Sequence, residues 1–161
     1  MSDGSDSKIR CFYRSDGSRN SGQDILEFFY SNNAADELDV EYDIKGIWGD
    51  DDADTLFCVD AEGLQIVSVN LSNGELIRGG RYPLDPENDH PQDIWGFEGT
   101  LYVVDKADQK AYAYRQNDGS RQASLDFNLP SPNPIGLWSD GATKVMVYSC
   151  LLYTSPSPRD S

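Results

Sequence analysis

DIWGFEGTLYVVD, residues 93–105, is the stretch that decides the fold. Its tryptophan leads into a Glu-Gly turn, and an alternating run, Thr100-Leu101-Tyr102-Val103-Val104, follows and stops on Asp105. Alternation on both sides of a tight turn marks a β-hairpin, because successive side chains on a strand point to opposite faces. The pattern occurs twice more, as GIWGDDDADTLFCVD over residues 46–60 and GLWSDGATKVMVYS over 136–149. The tryptophans Trp48, Trp95 and Trp138 are separated by 47 and 43 residues.

Working outward, each complete hairpin is followed by a second apolar pair. LQIVSVNLSNGEL (64–76) matches QKAYAYRQNDGSR (109–121), with Asn73-Gly74 under Asp118-Gly119. Asn-Gly and Asp-Gly supply the positive φ angles that turns demand. A further strand is predicted over 124–129 (SLDFNL), and a proline-rich connection, 130–134, leads to the next tryptophan. Each unit is therefore four short antiparallel strands in about 45 residues. Such a sheet, apolar on both faces, cannot bury itself and must stack on copies. Radial stacking gives a β-propeller, while no window shows the 3.6-residue period that a helical solenoid requires. The expected fold class is all-β: a partial β-propeller of about three four-stranded antiparallel blades. The units are a half blade (1–30), a blade at 44–80, a blade at 91–130, and the first hairpin of another at 135–149.

The 161 residues are 38% hydrophobic and 11% aromatic, enough for a core of their own. The charge is lopsided, with 28 acidic residues against 13 basic ones and a net −15. That balance argues against nucleic acid, since displacing counterions from phosphates needs a basic face. It also disfavours anionic lipid, and no apolar run reaches the ~20 residues a membrane helix needs. An acidic, solvated surface suits a secreted or salt-exposed protein. Cys11, Cys58 and Cys150 lack metal-ligand spacing, and a lone buried cysteine behaves as a small apolar residue.

The repeat resembles a known type. IWGFEGTLYVVD, KAYAY and NDGSR are similar to repeats of bacterial secreted and surface proteins of the NHL-like propeller kind, generally six-bladed. The first unit departs from it, with Asp50 to Asp54 at its turn and Val-Ser-Val in place of Tyr-Ala-Tyr; the tryptophan-aspartate and kelch signatures are absent. The resemblance implies an extracellular or cell-surface location. It does not fix an activity, since the fold hosts lyases, lactonases, phosphatases and binding scaffolds.

The repeat also carries expectations about both termini. Residues 1–19 align with 103–121, placing Asp3 under Asp105, Lys8 under Lys110 and Asp16-Gly17-Ser18-Arg19 under Asp118 to Arg121. Met1 then falls inside a blade's second strand, as an internal methionine of a longer protein would. CLLYTSPSPRD, residues 150–160, looks like the translated end of a transposon-based sequencing adaptor, so 150–161 is expected to be non-native.

Candidate sites follow from residue type. Asp50, Asp52 and Asp54 form a weak calcium candidate in the first hairpin turn, yet an EF-hand count from Asp50 puts Thr55 at the glycine position and Ala61 at the glutamate position. The alternative is a solvated turn. His90, the chain's one histidine, lies in DPENDHPQD beside Asp89 and Asp93, but no nucleophile motif accompanies it. Zinc would need three or four ligands, and one histidine with isolated cysteines does not supply them. Asp3, Asp60 and Asp105 recur at the end of the second strand, either as carboxylates aimed at a shared axis or as caps on the following turn. The tryptophans either pack between blades or stack on sugars.

Asp60, Asp105, His90 and Asp93 are accordingly the binding candidates, with no catalytic set and no cofactor beyond possible calcium. Two readings stand. One is a non-catalytic scaffold for a protein or glycan ligand, working with the remaining blades of a parent chain. The other is part of a metal-dependent propeller enzyme of lyase or lactonase type, which would carry a blade-specific cluster facing the channel.

Overall fold

Among the described residues, the marked turns reverse the chain from one strand to the next. The computed structural model describes Ser18 and residues 43–50, 52–139 and 144–149. The expected half blade at 1–30, apart from Ser18, and the tail at 150–161 lie outside these residues, as do Asp3, Cys11 and Cys150. Strands β1 (Ile44–Asp50), β2 (Thr55–Asp60), β3 (Gln65–Asn70) and β4 (Leu76–Pro83) form one antiparallel sheet in sequence order. Strands β5 (Pro91–Phe97), β6 (Thr100–Asp105), β7 (Lys110–Arg115) and β8 (Phe127–Asn128) form a second. Strands β9 (Pro134–Ser139) and β10 (Val145–Ser149) pair as a third, two-stranded sheet.

Turn chemistry sets the register. Glu98 (φ 47°) and Gly99 (φ 76°) are the two residues between the paired Phe97 and Thr100, a loop whose double positive φ matches the right-handed twist of the strands it joins. Gly74 and Gly119 hold φ of 73° and 67°, as the Asn-Gly and Asp-Gly pairs predict. In this register Trp48 lies opposite Phe57, Trp95 opposite Tyr102, and Trp138 opposite Met146.

One predicted strand is mostly replaced. Residues 124–129 give only the two-residue β8, preceded by a 3-10 turn at Ala123–Leu125. The side chain of Asp126 accepts the Ala113 N–H at 3.0 Å, and the Ala113 carbonyl accepts the Gln122 N–H at 2.8 Å. A carboxylate thus takes the ladder position that a backbone carbonyl would fill, and the outer strand does not extend there.

The sheets stack through their first strands, β1 against β5 and β5 against β9. Phe57, Val59 and Ile66 from the first sheet and Ile94, Leu101, Val103, Tyr112 and Tyr114 from the second share one core. Val104, Ala111 and Leu129 meet Leu137, with Val147 packed alongside, in the next. Blade thickness is set by a tryptophan over a glycine: a Cβ built on Gly96 would lie 2.5 Å from the Trp48 ring. Trp48 also stacks on Phe57 at 5.9 Å, so it packs between blades. Four-stranded meanders stacked face to face by their inner strands make this chain a partial β-propeller.

Candidate functional site

The strand directions gather the candidates at two opposite ends of the blades. Where β1, β5 and β9 begin and the β2–β3 and β6–β7 turns lie, the structure places Asp60, Asp105, His90 and Asp93. Asp50, Asp52 and Asp54 lie at the other end, in the β1–β2 turn.

Asp60 is fully buried and spends its carboxylate on four donors. Oδ1 accepts the N–H groups of Asp43 (3.0 Å) and Glu62 (3.1 Å), and Oδ2 accepts the Gly63 N–H (3.1 Å) and the Gln65 amide (2.9 Å). Asp105, also fully buried, accepts the N–H groups of His90 (2.9 Å) and Asp108 (2.9 Å). Each carboxylate staples its own turn to the segment entering the blade. Burying a charge is tolerable only with such donors in place.

Asp93 is blade-specific: the aligned residues of the other inner strands are Gly46 and Gly136. Its Oδ1 accepts its own blade's Ile94 N–H at 2.9 Å, and its Oδ2 accepts the Leu137 N–H of the next blade at 2.8 Å. A Cβ on Gly46 would collide with the Asp93 side chain and backbone, so the glycine makes room for the acid. Burial raises the Asp93 carboxyl above its ordinary value, against the lowering effect of its two N–H bonds. His90 is exposed, with Nδ1 2.6 Å from Asp89 Oδ1. That hydrogen bond and the charge of Asp89 raise the imidazole above its ordinary value.

The calcium candidates do not converge. Asp50 Oδ1 accepts the N–H groups of Asp52 (3.1 Å) and Ala53 (3.2 Å), while Oδ2 takes the Gln116 amide of the neighbouring blade. Asp54 instead accepts from Asn70 (3.0 Å) and the Ser72 hydroxyl (2.7 Å). Among the described residues, no three His, Cys, Asp or Glu side chains group as a metal-ion set.

Two features lay outside the sequence reading. The first is Arg121, the last residue of NDGSR. Its guanidinium pairs with Asp126 and Asp85 and lies over the rings of Tyr112 and Tyr114, at 4.9 and 5.5 Å. The Tyr114 hydroxyl accepts from the Asp85 N–H (3.0 Å) and from the Asn88 amide (3.1 Å). The repeated DGSR pointed to the turn but not to this long-range network.

The second is a groove of about 760 Å³ between the first two blades, at the end opposite Asp93. Thr55, Thr100, Gln116, Asn117, Phe57 and Tyr82 are among its lining residues, with Asp50, Glu98 and Arg115 also lining it. Its residues come from turns and strands of both sheets, far apart in sequence, which no local motif could join.

No protein-family model matches the chain, and no curated protein matches it in sequence. Among solved structures it is similar to AztD of Citrobacter koseri, at 13% identity and TM-score 0.47, over 80% of this chain and 31% of that one. It is similar to a streptogramin B lyase at 14% identity and TM-score 0.47, over 70% of this chain and 43% of that one. A virginiamycin B lyase from Staphylococcus aureus gives 17% and 0.45, with the same coverage. The chain spans less than half the length of each of these structures. Among the described residues, no helix is long and apolar enough to cross a membrane.

Proposed function

We propose that this chain is a repeat segment of a larger extracellular or cell-surface propeller, acting as a non-catalytic binding scaffold for a protein or glycan. The observation that carries the reading is the commitment of its acidic candidates. Asp60, Asp105 and Asp93 each accept at least two hydrogen bonds from the chain itself, and seven of these eight donors are backbone N–H groups. With four donors Asp60 has its lone-pair sites filled, while Asp105 and Asp93 each commit one site on each oxygen to a backbone N–H, which ties all three to holding the chain. An open concave surface among the described residues is the inter-blade groove. Its hydroxyls, side-chain amides and aromatic edges suit a polyhydroxylated or peptide ligand held by hydrogen bonds and ring contacts.

Screening the purified chain on glycan and peptide arrays tests this. Retention of one ligand class, lost in Gln116→Ala and Glu98→Ala, is expected. Absence of retention, or retention indifferent to both groove variants, would overturn the reading.

A second reading, part of a metal-dependent propeller enzyme of lyase or lactonase type, is favoured by one observation. Asp93 is a half-buried acid present in one blade and replaced by glycine in the other two, as a blade-specific channel group would be. Its signature is saturable binding of a divalent ion that Asp93→Asn abolishes.

A further inference from the structure

Asn73-Gly74 is the one Asn-Gly pair in the chain, and it lies in the β3–β4 turn. Asn73 is exposed, and Gly74 holds a φ of 73°. An asparagine followed by glycine can cyclise on itself, because a residue without a Cβ lets its nitrogen approach the preceding side chain. The Gly74 nitrogen attacks Asn73 Cγ. A C–N bond forms, the Cγ–Nδ2 bond breaks, and ammonia leaves carrying the proton from the Gly74 nitrogen. One water molecule then opens the cyclic imide at either carbonyl, giving aspartate or isoaspartate.

The closed turn holds these atoms back from that reaction. The Gly74 N–H donates to the Asn70 carbonyl at 2.8 Å, which keeps the proton on the attacking nitrogen. Asn73 Oδ1 accepts the Glu75 N–H at 2.9 Å and Nδ2 donates to Glu75 Oε2 at 3.2 Å, so the side chain is committed to Glu75. Asp54, in the β1–β2 turn, clasps the same segment. Its carboxylate accepts the Ser72 hydroxyl at 2.7 Å and the Asn70 amide at 3.0 Å, and its carbonyl accepts the Leu71 N–H at 3.0 Å.

The second blade shows which product the turn accommodates. Asp118-Gly119 aligns with Asn73-Gly74 and repeats its bonds. The Gly119 N–H donates to the Arg115 carbonyl at 2.8 Å, the Arg115 N–H to the Ser120 carbonyl at 2.8 Å, and the Ser120 N–H to the Asp118 carboxylate at 2.9 Å. Aspartate at position 73 therefore keeps the turn. Isoaspartate does not, since it routes the main chain through the side-chain carbon and lengthens it by one atom. Asp118 itself is held as a carboxylate, because hydrogen bonds from Ser120 lower it below its ordinary value, and a carboxylate is a poor target for the Gly119 nitrogen.

We infer that Asn73 is a site of spontaneous deamidation controlled by the opening of its own turn, and that its isoaspartate product releases the β3–β4 turn from Asp54. The Gly74–Asn70 bond must break before the nitrogen attacks, so the rate follows the fraction of time the turn is open. An exposed turn opens at a cost below that of global unfolding, so the folded chain converts slowly.

Incubating folded and guanidinium-unfolded chain side by side in mildly alkaline buffer tests this, with the site located by peptide mapping and isoaspartate detected by enzymatic methylation. Conversion at Asn73 is expected in both, slower in the folded chain by about tenfold or more. Ser72→Ala removes one arm of the clasp at an exposed position, and circular dichroism should show the fold retained. It should speed conversion about threefold or more in the folded chain and leave the unfolded rate unchanged. Amide exchange at Leu71, whose N–H meets the Asp54 carbonyl, should quicken in the isoaspartate product and stay unaltered in Asn73→Asp. Equal rates folded and unfolded, a folded chain whose Asn73 stays intact, a Ser72→Ala rate equal to the parent's, or an isoaspartate product with unaltered exchange would each overturn the inference.

Discussion

Replacing Gly96 by alanine probes the contact that spaces the first two blades. The new Cβ would lie 2.5 Å from Cε3 and Cζ3 of Trp48 and 2.6 Å from Cη2, roughly an ångström inside ordinary contact. Trp48 has little room to retreat, because Phe57 stacks on it with ring centroids 5.9 Å apart and planes 26° from parallel. Overpacking of this kind costs about 1–3 kcal/mol. Against it, alanine restricts the unfolded chain and returns about 0.4–1 kcal/mol. The net expectation is a loss of about 1–2 kcal/mol, read as a lower urea midpoint at unchanged slope. The same substitution in a Trp48→Ala background meets no ring, so its cost should vanish or reverse. A double-mutant cycle followed by circular dichroism measures that coupling. Additive effects, or a neutral Gly96→Ala in the wild-type background, would refute the tryptophan-over-glycine spacing.

Other perturbations have equally definite outcomes. Asp60→Ala orphans four donors at a fully buried site and should cost about 3 kcal/mol or more in urea unfolding, with the β2–β3 turn exchanging its amides fastest. Burial works to raise the Asp126 carboxyl, but bonds from Arg121, the Ala113 N–H and Lys110 outweigh it and hold the group at about 2. Because that lies below the ordinary 3.8, its stabilisation is complete above pH 4 and drains away as pH falls toward 2; Asp126→Asn should remove about 2 kcal/mol at neutral pH and flatten this acid limb. Burial pushes the Cys58 thiol far up, so its alkylation should proceed only through unfolding and slow in step with added stability.

The sequence carried the architecture because the repeat encodes what a blade needs locally. Alternation placed β1, β2, β5, β6, β9 and β10, and the Gly and Asp positions placed their turns. The outermost strand was less legible: SLDFNL alternates as a strand should, but Asp126 spends its side chain on the ladder position of Ala113. Nothing within those six residues announces that bond. The candidate sites divide the same way. That Asp60 and Asp105 recur was visible, whereas the number of donors on each carboxylate depends on segments 15 or 17 residues upstream. The inter-blade groove was beyond reach, since it depends on how one blade faces the next, and the Arg121 network needs Asp85, 36 residues upstream, brought beside it.

Calorimetric titration of calcium, magnesium and zinc into the purified chain bears most directly on the scaffold reading. Heats of dilution alone are expected, because the buried carboxylates already hold hydrogen-bond donors of their own chain. A saturable one-to-one isotherm, abolished by Asp93→Asn, would contradict that reading and move the chain's chemistry to the inner strands.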